Sequence, residues 1–112
     1  MTKDLKTLFS SRSNEAWREA HAPADVLSEH TRMKCLFDAA YFALLANATD
    51  DARGRITLHP DADFVQGECT RASVPAEVGV RFAASVDSPF DEDRPGRDEL
   101  LAWTSAIRAR LL

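Results

Sequence analysis

The 112-residue chain is poor in glycine, with only four such residues. All-β sandwiches and barrels join many short strands through turns that glycine and proline supply. So few glycines disfavour such a fold. The length corresponds to a single domain that can bury a hydrophobic core without metal or disulfide support.

Basic residues are not in excess, because the formal net charge is −4. Nucleic-acid binding draws most of its affinity from contacts between basic side chains and phosphates. DNA binding is therefore disfavoured, whereas RNA binding through a local basic patch stays open.

Long apolar runs are missing as well. The longest, residues 39–46, is less than half the length that a membrane span requires, and residues 1–9 mix charged and apolar positions instead of forming a signal peptide. The two cysteines, Cys35 and Cys69, form neither a CxxC motif nor a metal-ligand spacing, and each lies in an apolar helical pattern. These features predict a cytoplasmic protein with no membrane partner, whose cysteines are small buried hydrophobes.

What the sequence does contain is helical periodicity. Its clearest instance is the last segment, residues 95–111, where Leu100, Trp103, Ile107 and Leu111 recur on one side. Acidic residues in its first turn and arginines in its last match the helix dipole. The other predicted elements are a short helix or frayed arm within residues 1–12, a short helix begun by Ser13, a helix opened by His59, Pro60 and Asp61, and a helix begun by Ser73.

The segment that organises these elements is a helix capped by Asp25 or Ser28 that runs to about Ala46. Residues 35–46 are apolar on every side except at Asp38, and a helix that is apolar all round is buried. We therefore predict an all-α fold: one domain, residues 1–112, in which four to five helices form a compact bundle around this central buried helix.

Asp38 is the most unusual residue of the central helix, since a buried carboxylate needs a partner or a raised pKa. One interpretation is a polar stripe in which Asp38 pairs with Lys34, four residues earlier. The other places Asp38 in a pocket or a subunit interface with Tyr41 one turn on. Trp17, on a peripheral helix, either covers the edge of the core or forms a dimer contact.

Metal-ligand chemistry has one candidate group, formed by His59, Asp61 and Asp63. An imidazole and two carboxylates can hold a divalent ion. The same residue types are also the expected N-terminal caps of a helix, which is the interpretation that the spacing favours. No cofactor is predicted.

Residues 28–46, SEHTRMKCLFDAAYFALLA, resemble a core helix of the HEPN superfamily, in which an acidic residue precedes a run of small and aromatic residues, here Asp38 to Phe42. The resemblance implies a helical bundle that dimerises through such helices. Active HEPN members are ribonucleases with an Arg-x4–6-His motif, whose spacing Arg53 and His59 match. Because Gly54 and Pro60 place that pair in a loop, the expected relative is a non-catalytic one.

Three functions follow as hypotheses. The first is a non-enzymatic helical interaction module that forms a homodimer or binds a protein partner. The second is a HEPN-type ribonuclease that uses Arg53 and His59. The third is a small-ligand-binding domain with a pocket at Asp38 and Tyr41.

Overall fold

A computed structural model describes residues 5–23, 28–48, 62–87 and 96–111 of the chain. These residues contain five helices and no strand, which confirms the predicted all-α bundle. The helices are α1 (Leu5–Ala20), α2 (Glu29–Asn47), α3 (Ala62–Arg71), α4 (Ala76–Asp87) and α5 (Arg97–Leu111).

The N-terminal helix α1 is continuous, so the predicted start of a separate helix at Ser13 is wrong. Serine favours helix caps because its hydroxyl competes for nearby backbone groups. Here the Ser13 side chain is fully buried in the middle of α1, and its hydroxyl donates to the Ala39 carbonyl of α2 at 2.6 Å. A tertiary partner therefore satisfies the hydroxyl that a cap would otherwise use.

The central helix α2 has the predicted bounds and position. Its N-cap is Ser28, whose side chain accepts a hydrogen bond from the backbone of Thr31, and the helix ends at Asn47. It contacts α5 through the Thr104 hydroxyl, which donates to the Leu36 carbonyl at 3.0 Å. It contacts α4 where the Phe37 and Phe82 rings lie 5.1 Å apart.

Burial around α2 is nevertheless uneven, which differs from the prediction. The side facing the bundle is closed, with Leu36, Ala40 and Leu44 at most 2% exposed. The opposite side is only half-buried at Asp38 and Phe42. Neighbouring helices therefore leave one face of the central helix partly accessible.

Helix α3 ends in a backbone arrangement that the sequence pattern did not predict. Ser73 has a positive φ of 62°, its N–H bonds to the Thr70 carbonyl, and the N–H of Val74 bonds to the Cys69 carbonyl. This is the Schellman motif that terminates helices. Ser73 thus closes α3 instead of capping α4, which begins at Ala76.

Helix α5 confirms the predicted apolar side, because Leu100, Trp103 and Ile107 are buried and Leu111 is half-buried. Thr104 is also fully buried, since its hydroxyl has a backbone acceptor on α2.

Both cysteines are buried free thiols, as predicted. Burial raises the pKa of the Cys69 thiol to about 11. Of the helices in the described ranges, none combines the length and the apolar character that crossing a membrane requires.

Candidate functional site

The accessible side of the central helix is the candidate site, and we call it the outer face of α2. It consists of Thr31, Lys34, Asp38, Tyr41 and Phe42. Residues three and four apart on a helix are neighbours on its surface, so these five side chains form one strip. Thr31 and Lys34 are exposed, whereas the other three are half-buried.

Aromatic contacts fix the strip between two other parts of the bundle. Phe42 stacks on Phe9 of α1, with ring centroids 6.1 Å apart and planes only 13° from parallel. Tyr41 and Phe64 of α3 form an edge-to-face pair, with ring centroids 6.3 Å apart. The outer face of α2 therefore lies between α1 on one side and α3 on the other.

Tyr41 is surrounded by rings. In addition to Phe64, it contacts Phe37 at 6.2 Å and Phe42 at 6.5 Å, and its hydroxyl oxygen is buried. Ring pairs at these separations add stabilisation beyond the area that they bury. Tyr41 thus joins the outer face to the hydrophobic core.

Asp38 has the most perturbed electrostatics of the strip. Burial raises the pKa of its carboxyl, the ammonium of Lys34 opposes that rise, and the carboxylate of Glu19 on α1 adds to it. The interaction with Lys34 agrees with the predicted polar stripe. The half-buried position at the edge of the bundle agrees equally with an interface.

Glu19 brings a second carboxylate close to this part of α2. Its Oε2 lies 3.7 Å from the Sγ of Cys35, which donates to it. Burial, followed by the charge of Glu19, raises the pKa of the Cys35 thiol. Of the charged groups among the described residues, Lys34 and Glu19 are the two that act on Asp38.

Trp17 lies outside the outer face, at the contact between α1 and α5. It is half-buried and packs against the core. The ring of His21 lies 4.5 Å from its ring, and the Arg108 guanidinium lies over it at 5.0 Å. These contacts place Trp17 at the edge of the core.

Among the described residues, three arginines form cross-helix hydrogen bonds to uncharged groups, which sequence reasoning missed. Arg108 donates to Ser13 at 2.8 Å and to Asn14 at 3.1 Å, and burial lowers its pKa. The other two bond to backbone carbonyls at helix ends. They are Arg32, on Ala20 at the end of α1, and Arg71, on Asn47 at the end of α2.

The second of these links also involves a buried acid. Glu68 is only 8% exposed, and its Oε2 accepts from the Nε of Arg71 at 2.9 Å. Basic residues near helix ends are a visible sequence signal. The carbonyl that each of them reaches is tertiary information, which the sequence pattern lacks.

Of the four residues predicted for a metal site or a ribonuclease site, the structure describes Asp63. Arg53, His59 and Asp61 lie outside the described residues, and Asp63 is exposed in the first turn of α3. Within the described ranges, no three potential ligands come together as a metal site.

A shallow depression also lies at the start of α5. Glu99 there pairs with Arg81 of α4, whose guanidinium lies 5.4 Å from the Trp103 ring centroid. Acids at this position complement the helix dipole, which explains them without a ligand. The depression is lined by Glu29, Gly96, Asp98 and Glu99.

Comparison with models of protein families gives no match, and neither curated proteins nor solved structures give one.

Proposed function

We propose that this chain is a small, non-enzymatic helical interaction module that associates with a second copy of itself through the outer face of α2. The observation that carries the proposal is the uneven burial of the central helix. Phe42 and Tyr41 are half-buried beside the exposed Lys34 and the half-buried Asp38.

The composition of this strip favours a protein partner. Aromatic residues are enriched in protein interfaces. On the outer face the two aromatics lie toward the C-terminal end of α2, and the polar Thr31 and Lys34 lie toward its N-terminal end. A partner helix laid along the strip would cover both kinds of surface.

The charge of the strip gives a second argument. Asp38 is partly desolvated and lies near the carboxylate of Glu19. Among the described residues, the attraction to Lys34 does not fully compensate its charged form, because the pKa of the carboxyl stays raised. A cation supplied by a partner would offset this cost, because charge complementarity across an interface favours the matching arrangement.

The cellular setting is part of the proposal. Two buried cysteines that remain free thiols fit a reducing compartment, and we propose the cytoplasm. Our interpretation of residues 28–46 as a non-catalytic HEPN-like helix agrees with a dimer formed through α2. The ribonuclease alternative depends on Arg53 and His59, and no observation of the described residues favours it.

Hydrogen exchange at several protein concentrations tests the proposal. If two copies cover the outer face, backbone amides of residues 30–42 become more protected as concentration rises from the monomeric to the dimeric range. The matched internal control is α4 around Val80, a large apolar side chain that is 50% exposed on another helix.

Protection that rises in α2 and stays constant in α4 supports the proposal. Protection that is independent of concentration throughout the chain contradicts self-association. Protection that rises around Val80 and stays constant in α2 contradicts the choice of surface.

A further inference from the structure

We infer that two copies of the chain pair their α2 helices antiparallel about a two-fold axis, with Lys34 of each copy facing Asp38 of the partner subunit. This inference rests on the proposed function and specifies the register of that interface. Its basis is the self-complementary charge pattern of the outer face.

The spacing of the two charges makes the arrangement reciprocal. Lys34 and Asp38 lie four residues apart, about 6 Å along a helix. In a two-fold antiparallel pair, residues equidistant from the axis face each other. An axis level with Leu36, but on the opposite side of the helix, lets each ammonium meet a carboxylate of the other copy.

Other arrangements of the same two helices are electrostatically worse. A parallel pair in register places Lys34 on Lys34 of the partner subunit and Asp38 on Asp38 of the partner subunit. An antiparallel pair centred at Asp38 brings the two carboxylates together. Like charges brought together at an interface repel each other, so these two arrangements are less stable than the reciprocal register.

The remainder of the strip is compatible with this register. Positions equidistant from the axis bring Tyr41 level with Thr31 of the partner subunit and Phe42 level with His30 of the partner subunit. Thr31 and His30 are exposed, so the N-terminal turns of α2 are open to receive the half-buried aromatic end of the other copy.

Glu19 strengthens the case for a cation at this point. Its carboxylate acts on Asp38 from α1, opposite in sign to the ammonium of Lys34 on α2. Among the described residues, one ammonium and one further carboxylate act on Asp38 within a single copy. The ammonium of Lys34 of the partner subunit would compensate the remaining negative charge.

Crossed charge reversal provides the test. In Lys34→Glu the modified position faces Asp38 of the partner subunit, and in Asp38→Lys it faces Lys34 of the partner subunit. Each variant alone therefore repels itself, and we expect its dimer to weaken about tenfold or more. An equimolar mixture of the two variants restores both attractive pairs.

Sedimentation equilibrium with one variant fluorescently labelled measures the mixed dimer, and circular dichroism confirms that each variant keeps its helices. The matched control is the pair Glu77→Lys and Arg110→Glu, which reverses exposed charges on α4 and α5. The control variants, alone or mixed, should dimerise as the unmodified chain does.

A mixed dimer that forms at least about tenfold more tightly than either variant alone supports the register. If the unmodified chain dimerises but the mixture is no tighter than the single variants, the register is wrong and the proposed function survives. If the unmodified chain stays monomeric, the proposed function fails and the register fails with it.

Discussion

The hydroxyl of Ser13 donates a hydrogen bond to the backbone carbonyl of Ala39, and both residues are completely inaccessible to solvent. The contact joins α1 to the middle of the central helix at 2.6 Å. The same hydroxyl oxygen accepts from Arg108 of α5 at 2.8 Å. One small side chain therefore connects three helices.

Replacing Ser13 with alanine should destabilise the protein by about 1–3 kcal/mol, because the Arg108 guanidinium loses an acceptor and the Ala39 carbonyl loses a donor. Urea denaturation measures the change. The control is Ser11→Ala on the exposed side of α1, which should change the free energy of unfolding by less than about 0.5 kcal/mol. Equal effects at the two positions would contradict the role given to the buried hydrogen bonds.

Replacing Ser73 with glycine should stabilise the protein. Its φ of 62° lies in the left-handed region, which costs non-glycine residues about 1–2 kcal/mol. Ser73→Gly removes that cost at the end of α3, so thermal and urea unfolding should show a gain of about 1 kcal/mol. The control is Ser105→Gly at an exposed position within α5, which should lower the free energy of unfolding by about 0.5 kcal/mol. If Ser73→Gly also lowers the free energy of unfolding, the account of this turn is wrong.

Replacement of two helical glycines with alanine should have different effects on stability. A Cβ atom at Gly67 in α3 meets nothing within 4 Å, so Gly67→Ala should gain about 1 kcal/mol from helix propensity alone. A Cβ atom at Gly79 in α4 would lie 3.0 Å from the Cβ of Cys69. Overpacking there should leave Gly79→Ala less stable than Gly67→Ala by at least about 1 kcal/mol.

Denaturant unfolding of both alanine variants under identical conditions makes this comparison. Equal gains in unfolding free energy would contradict this prediction. They would mean that α3 and α4 move apart near Gly79 and Cys69 without loss of stability.

Asp38 should make stability depend on pH in the direction opposite to an ordinary salt-bridged carboxylate. Its pKa is raised in the folded state by burial and by Glu19, against the opposing charge of Lys34. The folded state therefore binds the proton more tightly than the unfolded one, and this contribution to stability is lost as pH rises through the raised pKa. Asp38→Asn should be more stable than the unmodified chain at pH 7.

The gain should disappear below the ordinary aspartate pKa of about 3.9, where both states are protonated. Urea denaturation at pH 7 and at about pH 3.5 measures the difference in unfolding free energy between Asp38→Asn and the unmodified chain. Both are compared at concentrations where the chain is monomeric. Asp63→Asn, at an exposed position in the first turn of α3, is the control and should show no gain at pH 7. A loss of stability for Asp38→Asn at pH 7 would mean that attraction to Lys34 outweighs desolvation.

The fold class and the central helix were predictable because they depend on local patterns. Ser28 supplies a cap whose chemistry is visible in the sequence, and the apolar residues of α2 and α5 recur at helical spacing. The position of Ser73 was not predictable in the same way. Serine suits a helix start on propensity, and only the backbone path shows that here it ends one.

The candidate site was predictable in part. Asp38 and Tyr41 stand out against an apolar helix, but which side of α2 stays accessible depends on where α1 and α3 pack. The polar network of Ser13, Arg108 and Asn14 joins residues from the two ends of the chain. Such pairs leave no trace in a local pattern.

The molecular mass of the unmodified chain in solution tests the central claim most directly. Sedimentation equilibrium across a wide range of concentrations should show a reversible transition from 12.4 kDa to twice that mass. A mass that stays at 12.4 kDa at the highest concentration reached would contradict self-association through the outer face of α2.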